Sequence, residues 1–208
     1  MINRMTPVVK NLVIINVLVF LAQSAMPGLE PLLMGHYPLG ANFEPWQVIT
    51  HMFMHGSFTH IFFNMFALVV FGSALERAWG SKRFLQYYML CGIGAFFMYE
   101  ATVGYEVFQL IDQISYDGIA GRVVGASGCV YGLLLGFGML FPNTELILLF
   151  PPIPIKAKYF VIIYGLIELS LAMSNSPGDN VAHVAHLGGM VFGFLLIKQW
   201  QKNRKNFY

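Results

Sequence analysis

Six long apolar runs set the limits on what this chain can fold into. They cover residues about 11–26, 57–79, 83–103, 126–141, 157–174 and 181–199, and each approaches the length of a helix that crosses a bilayer. Because lipid offers the backbone no hydrogen bonds, apolar segments of this kind form helices. Only 11% of the 208 residues are charged, against about 25% in soluble domains. The sequence therefore predicts an all-α, polytopic membrane bundle of six transmembrane helices.

No polar, proline-rich or low-complexity linker divides these runs, so we expect a single membrane domain over residues 1–208 without a separate soluble domain. The formal net charge of +2 is too small, and lies too close to the termini, to indicate a nucleic-acid partner. Both Cys91 and Cys129 lie in apolar runs, which argues against a disulfide framework.

The basic residues indicate the orientation. With an even number of spans, nearly all of them fall on one side, together with both termini. The opposite side holds Arg122 among acidic residues. The positive-inside rule then predicts cytoplasmic termini, and we expect a bacterial inner-membrane protein. The basic residues of the first side are Arg4, Lys10, Arg77, Lys82, Arg83, Lys156, Lys158, Lys198, Lys202, Arg204 and Lys205.

The fourth run opens with Gly125-Ala126-Ser127-Gly128, and glycines recur at 128, 132 and 136. Glycines four residues apart make a smooth strip where another backbone can approach closely. The unpaired N–H groups and the dipole at a helix N-terminus favour developing negative charge, which suits a nucleophilic Ser127. The alternative is a serine that only caps a membrane helix.

The second run carries His60 and Asn64, which share a helix face because they are four residues apart. Both side chains donate hydrogen bonds, as an oxyanion hole requires. The alternative, hydrogen bonding that only joins helices, stays open. His51 and His55 lie nearer the preceding loop, and we expect them to be structural.

In the sixth run, Ala185, Gly189 and Gly193 form a second strip of small residues. Two such strips predict close contact between the fourth and sixth helices. That contact would bring His186 against Ser127.

Depth in the membrane supports convergence of these residues. The second, fourth and sixth runs all proceed from outside to inside, so His60, Asn64, Ser127 and His186 share the outer end. The fourth run spans only about 24 Å, against about 30 Å of hydrocarbon. We therefore expect Ser127 in a wet pocket within the outer leaflet, and the common depth favours catalysis.

Three motifs, in order and on their expected spans, make the chain resemble a rhomboid intramembrane serine protease in its six-span form. They are Gly-Ala-Ser-Gly at 125–128, His-x8-His-x3-Asn formed by His51, His60 and Asn64, and Ala-His-Leu-Gly-Gly at 185–189. The resemblance implies Ser127 as nucleophile, His186 as general base, and His60, Asn64 and the Ser127 amide as oxyanion donors. It also implies a supporting tyrosine, Tyr131, that packs against the histidine, alongside the motif glycines Gly125 and Gly128. An aromatic residue that only fills the core is the alternative for Tyr131.

The chemistry follows from the residues. Serine needs a base to take its proton, and neutral histidine suits that role near pH 7. No Asp lies at the right depth to orient His186, so the sequence predicts a Ser–His dyad without a third member and without cofactor or metal. Attack needs an extended backbone, so we expect single-span membrane proteins with helix-weakening residues near the outer interface as substrates.

Two positions bear on the resemblance outside catalysis. Rhomboids often carry Trp-Arg in the first loop, whereas here Trp46 precedes Gln47, which puts lipid contacts of that loop in doubt. Glu76 matches a family carboxylate near the inner end of the second span, for which we expect a structural role.

Other interpretations remain open at this point. Histidine pairs with ligand-like spacing suggest a metal or haem site, although no His-Glu-x-x-His motif is present. Glu168 and Glu100 within apolar runs suggest a transporter. An inactive rhomboid-like binding protein is the third alternative. The sequence does not identify the substrate or the oligomeric state, nor does it assign a functional role to Glu168, His51, His55 or His183.

Overall fold

Six long helices lie at the predicted positions in the computed structural model, which describes residues 5–110, 122–148, 152–174 and 180–202. Short helical segments at Pro27–Leu29, Glu30–Leu33, Gln47–Thr50 and His51–Phe53 connect the first two. The prediction of a helical protein is confirmed. The long helices are α1 (Pro7–Ala25), α2 (Phe58–Trp79, π-helical at Leu68–Gly72), α3 (Ser81–Leu110), α4 (Ser127–Leu140), α5 (Ala157–Ala172) and α6 (Asn180–Lys202).

Two of the described helices, α1 and α2, are long and apolar enough to cross a membrane, and α4 is a shorter apolar helix. Large apolar side chains on the outer faces of α1 and α5 are exposed, as expected of a surface that faces lipid. They include Ile14, Leu18, Leu21, Ile162, Leu166 and Ile167.

Helix α3 continues beyond its predicted end at residue 103. Tyr99, Val103 and Val107 follow one another at intervals of four residues and are buried in one cluster with Ala185. This apolar stripe stabilises two further helical turns. The sequence predicted the end of this span near residue 103, so these two turns lie outside the predicted span.

Helices α4 and α6 approach to backbone contact, as the small-residue strips predicted. A Cβ on Gly189 would overlap the carbonyl group of Gly128, and a Cβ on Gly132 would lie 3.2 Å from the Gly189 oxygen. Helix α3 joins this contact, because Ala95 packs directly on Gly128. The predicted contact of two helices is therefore a contact of three.

Tyr87 of α3 separates the two strips at their other end. Its hydroxyl donates to the Gly132 carbonyl at 2.8 Å and lies against both Gly136 and Gly193. The strips thus meet only in the half of the helices nearest Ser127, and Tyr87 fills the space where they diverge.

Glu76 joins α1 to the turn between α2 and α3. Its carboxylate accepts hydrogen bonds from the amides of Val8 and Val9, at 3.1 and 3.0 Å, and from the Ser81 hydroxyl at 2.6 Å. The first amides of a helix have no partners within it, so this carboxylate caps α1. The structural role expected for Glu76 agrees with these contacts.

Within the described residues, two small antiparallel sheets join the loops. Strand β1 (Gly35–His36) pairs with β2 (Arg122–Val123), which links the first loop to the segment before α4. Strands β3 (Glu145–Ile147) and β4 (Pro154–Lys156) form a hairpin between α4 and α5. The chain entering α4 is therefore held by the first loop.

Gln47 is built into that first loop. Only 1% of the residue is exposed. Its Oε1 accepts from the Glu44 amide and lies 3.2 Å from His36 Nδ1, and its Nε2 donates to the Asn42 carbonyl. At this position the chain thus has a buried amide that organises the loop, where an arginine is common among rhomboids.

The backbone contact between α4 and α6 generates the first prediction. Leucine at Gly189 or Gly132 should overpack the contact and lower the free energy of unfolding by about 1–3 kcal/mol. Thermal unfolding in detergent micelles measures this, with Gly28→Leu as the control because nothing lies within 4 Å of a Cβ at Gly28. Equal unfolding temperatures for all three variants would contradict the contact.

Candidate active site

Ser127 is the first residue of α4 and follows a glycine whose conformation is special. Gly125 has φ +124°, a region that other residues rarely adopt, and its amide donates to the His51 carbonyl at 2.9 Å. A Cβ at Gly125 would lie 2.8 Å from His60 Nε2 and 3.6 Å from Ser127 Oγ. Only glycine at 125 therefore lets the histidine of α2 approach the serine of α4.

Helix α2 presents two hydrogen-bonding side chains towards this point. Ser57 caps the helix by accepting from the His60 amide at 3.1 Å, so His60 lies in the first turn of α2. Asn64 is only 6% exposed, and its Nδ2 group has no hydrogen-bond partner among the described residues. Such a buried donor is costly unless a bound group accepts from it.

His186 lies against α4 one turn beyond Ser127. Its ring stacks on that of Tyr131, with centroids 4.2 Å apart and planes inclined by 10°. A Cβ at Gly128 would lie 3.8 Å from the carbonyl oxygen of Ala185, the residue before His186. Ser127 and His186 share no hydrogen bond in the described part of the chain, and such bonds are often long in free enzymes.

Glu168 of α5 is the residue that the sequence analysis left without a role. One carboxylate oxygen, Oε2, lies 3.0 Å from His186 Nδ1 and 2.6 Å from His183 Nδ1, and Oε1 accepts from the Tyr131 hydroxyl. The expectation that no Asp lies at the right depth to orient His186 did not cover this residue. That expectation considered only Asp, whereas the longer Glu side chain reaches the ring from the neighbouring helix.

These contacts weaken the transporter interpretation. A carboxylate that relays protons must change partners, whereas Glu168 accepts hydrogen bonds from three side chains of the site.

The donor set of Glu168, His183 and His186 is one that zinc accepts, and their candidate ligand atoms lie within 4.8 Å of one another. Ligands of a tetrahedral zinc ion are about 3.3 Å apart, given bonds of about 2.0–2.1 Å. The two Nδ1–Oε2 distances here, 2.6 and 3.0 Å, are those of charge-assisted hydrogen bonds. The geometry thus favours a hydrogen-bonded network over a metal site.

His51 and His55 lie in the connection before α2 and are not part of the hydrogen-bonded group around Glu168. His51 Nδ1 donates to the Gln47 carbonyl at 2.8 Å, and its ring packs on Phe96. The His55 ring contacts His60 edge-on, with centroids 5.0 Å apart. Burial lowers the pKa of both His51 and His55 to about 4, so both rings are neutral near pH 7. These contacts agree with the structural roles expected from the sequence.

A cavity of about 790 Å³ lies between α2, α4, α5 and strand β3, and Tyr131 is part of its lining. Asn64 and Tyr131 form part of its wall, so the cavity reaches the side chains around Ser127. Most of the remaining lining is apolar, including Phe63, Phe66, Val70, Leu134, Phe160 and Tyr164.

The described helices thus bring together the residues that the sequence singled out. His60 and Ser127 both lie close to Gly125, while Tyr131 stacks on His186. Acyl transfer requires a nucleophile, a base and a hydrogen-bond donor to the oxyanion. Ser127, the His186 imidazole and the unpaired side-chain amide of Asn64 are groups of these three kinds.

Comparisons with a family model and with individual proteins point to the same family. The model of the Rhomboid domain matches residues 42–200. The YdcA protein of Bacillus subtilis (strain 168), which is named a candidate rhomboid protease, is 35% identical over 77% of this chain and 70% of its own. The rhomboid protease AarA of Providencia stuartii is 31% identical over 77% of this chain and 57% of its own.

A mitochondrial relative extends the comparison to eukaryotes. Rhomboid protein 1 of Saccharomyces cerevisiae is 28% identical over 76% of this chain, which spans 44% of the yeast protein. With a family model that covers most of its length and relatives above 30% identity, the chain belongs to the rhomboid family of intramembrane serine proteases.

Proposed function

We propose that this chain is an endopeptidase that cleaves transmembrane segments of membrane proteins near the outer leaflet, with Ser127 and His186 as a catalytic dyad. The observation that supports this most directly is the stack of His186 on Tyr131, one turn from Ser127. Imidazole and hydroxyl thus lie on adjacent helices at the same end of the bundle.

The reaction has two steps. In the first, His186 takes the proton of the Ser127 hydroxyl as the oxygen attacks the scissile carbonyl, and then gives that proton to the departing amine. The peptide C–N bond breaks, and the acyl group stays on Ser127. In the second, His186 activates a water molecule that hydrolyses the ester and restores the serine.

Asn64, His60 and the Ser127 amide are the proposed donors to the oxyanion. The unpaired Asn64 Nδ2 group supports this assignment, because a transition-state oxygen would satisfy a buried donor that no described residue satisfies. The Ser127 amide is free of intrahelical partners by its position at the start of α4.

The cavity between α2, α4 and α5 suits a substrate segment that leaves the bilayer. Its walls are largely apolar, and Asn64 and Tyr131 lie where the segment would reach the site. Because attack requires an extended backbone, helix-weakening residues near the outer interface should favour cleavage. We therefore propose single-span membrane proteins as the substrate class.

All six long helices are proposed to cross the membrane, with both termini in the cytoplasm of a bacterial cell. Basic residues lie at the C-terminal ends of α2 and α6 and at the N-terminal end of α3, and they support this orientation.

The dyad generates the second prediction. Because Ser127 and His186 act as a unit, Ser127→Ala and His186→Ala should each reduce kcat to below about one ten-thousandth of wild type, and the double variant should be no worse. Cleavage of a model transmembrane substrate by purified protein in vesicles measures this. Ser24→Ala, at an exposed serine of α1, is the control. Substantial cleavage by Ser127→Ala would refute the proposal.

The oxyanion assignment generates the third prediction. Asn64→Ala and His60→Ala should each lower kcat about ten- to a hundredfold with little change in KM, because these donors act in the transition state. The double variant should be distinctly slower than either. Asn16→Ala is the matched control, since Asn16 is a buried amide on α1 that donates to the Leu12 carbonyl. Wild-type kcat in Asn64→Ala would make that residue structural.

A further inference from the structure

We infer that Glu168 is a positioning residue for His186, so that a third helix orients the base of the proposed Ser127–His186 dyad. The inference rests on the proposed function, and it assigns to α5 a part in catalysis that the sequence did not indicate. Its basis is the 3.0 Å contact between Glu168 Oε2 and His186 Nδ1.

The contact fixes the tautomer of His186. An ionised carboxylate only accepts hydrogen bonds, so Nδ1 must carry a proton. In the neutral ring Nε2 then has the free lone pair, and it is the nitrogen on the side of the ring away from Glu168. A general base needs such a lone pair directed at the serine hydroxyl.

The same carboxylate also fixes the ring in space. Tyr131, on which His186 stacks, donates its hydroxyl to Glu168 Oε1. Tyr131, Glu168 and His186 therefore close a triangle of side chains from α4, α5 and α6. One edge is a ring stack and the other two are hydrogen bonds, so the imidazole can neither flip nor tilt without breaking a contact.

His183 provides the carboxylate with a further donor. Its Nδ1 lies 2.6 Å from Oε2, and Glu168 is only 5% exposed. Donors from three side chains favour the ionised form of a buried carboxylate. A negative charge at this distance stabilises the imidazolium that forms when His186 takes the serine proton.

Glu168→Gln tests the inference, because glutamine keeps the size of the side chain and loses the charge. In serine proteases that depend on a third residue, the equivalent change lowers kcat about ten-thousandfold. We expect kcat to fall at least about tenfold here, with KM unchanged, when kcat is expressed per site that a fluorophosphonate probe labels. Expressing kcat in this way removes any loss due to misfolded protein.

Glu100→Gln is the matched control. Glu100 on α3 is a glutamate of similar burial, 4% exposed, and its oxygens have no hydrogen-bond partner among the described residues. This variant should keep the kcat of wild type.

The outcomes separate this inference from the proposed function. A wild-type protein that neither cleaves nor labels would refute the proposed function. An active wild type with less than about a tenfold fall in kcat for Glu168→Gln, or with its loss confined to KM, would overturn the role of Glu168 alone.

Nitrogen-15 NMR of histidine-labelled wild-type protein tests the inference even if the Gln variant does not fold. The signals of His186, identified by their loss in His186→Ala, should report a proton on Nδ1 and none on Nε2 when the ring is neutral. A proton on Nε2 would overturn the inference.

Discussion

The approach of two backbones at Gly128 and Gly189 is the contact on which the candidate site depends. Because neither residue has a side chain, α4 and α6 come close enough for Tyr131 and His186 to stack. Ala95 of α3 closes the same contact from a third side. The distance between the proposed nucleophile and the proposed base is therefore set by main-chain packing, which has few ways to relax.

Hydrogen bonding adds a second constraint at the same level of the bundle. Glu168 would be costly in an apolar helix without partners, whereas here it accepts from Tyr131, His183 and His186. These bonds join α5 to both α4 and α6. Much of the rest of α5 presents apolar side chains outward, so the network accounts for much of what fixes its rotation.

The sequence predicted the helices and the close contact of α4 with α6, because hydropathy and the spacing of small residues are local signals. It also predicted that Ser127, His60, Asn64 and His186 would share one end of the bundle, and the observed contacts agree. Their catalytic roles stay predictions. The close approach of His60 and Ser127 to Gly125 depends on a positive φ, which the glycine motif in the sequence does not reveal.

Glu168 was beyond the reach of the sequence analysis for a physical reason. A single carboxylate in an apolar run carries no periodic signal, and its partner depends on how α5 is rotated and how deep it sits. The prediction of an unassisted His186 rested only on the absence of an Asp at its depth in the membrane. The spacing of His183 and His186 fits a shared acceptor as well as a metal-ligand pair, and the sequence does not show which helix supplies that acceptor.

The shortness of α4 has a consequence for the surrounding bilayer. Its 14 residues span about 21 Å, well below the thickness of the hydrocarbon layer. Nine of them, including all four glycines, are buried by neighbouring helices. The shortfall in the length of α4 is therefore enclosed largely by protein and exposed little to lipid. Because α4 presents little surface to lipid, its length alone gives the bilayer no reason to thin.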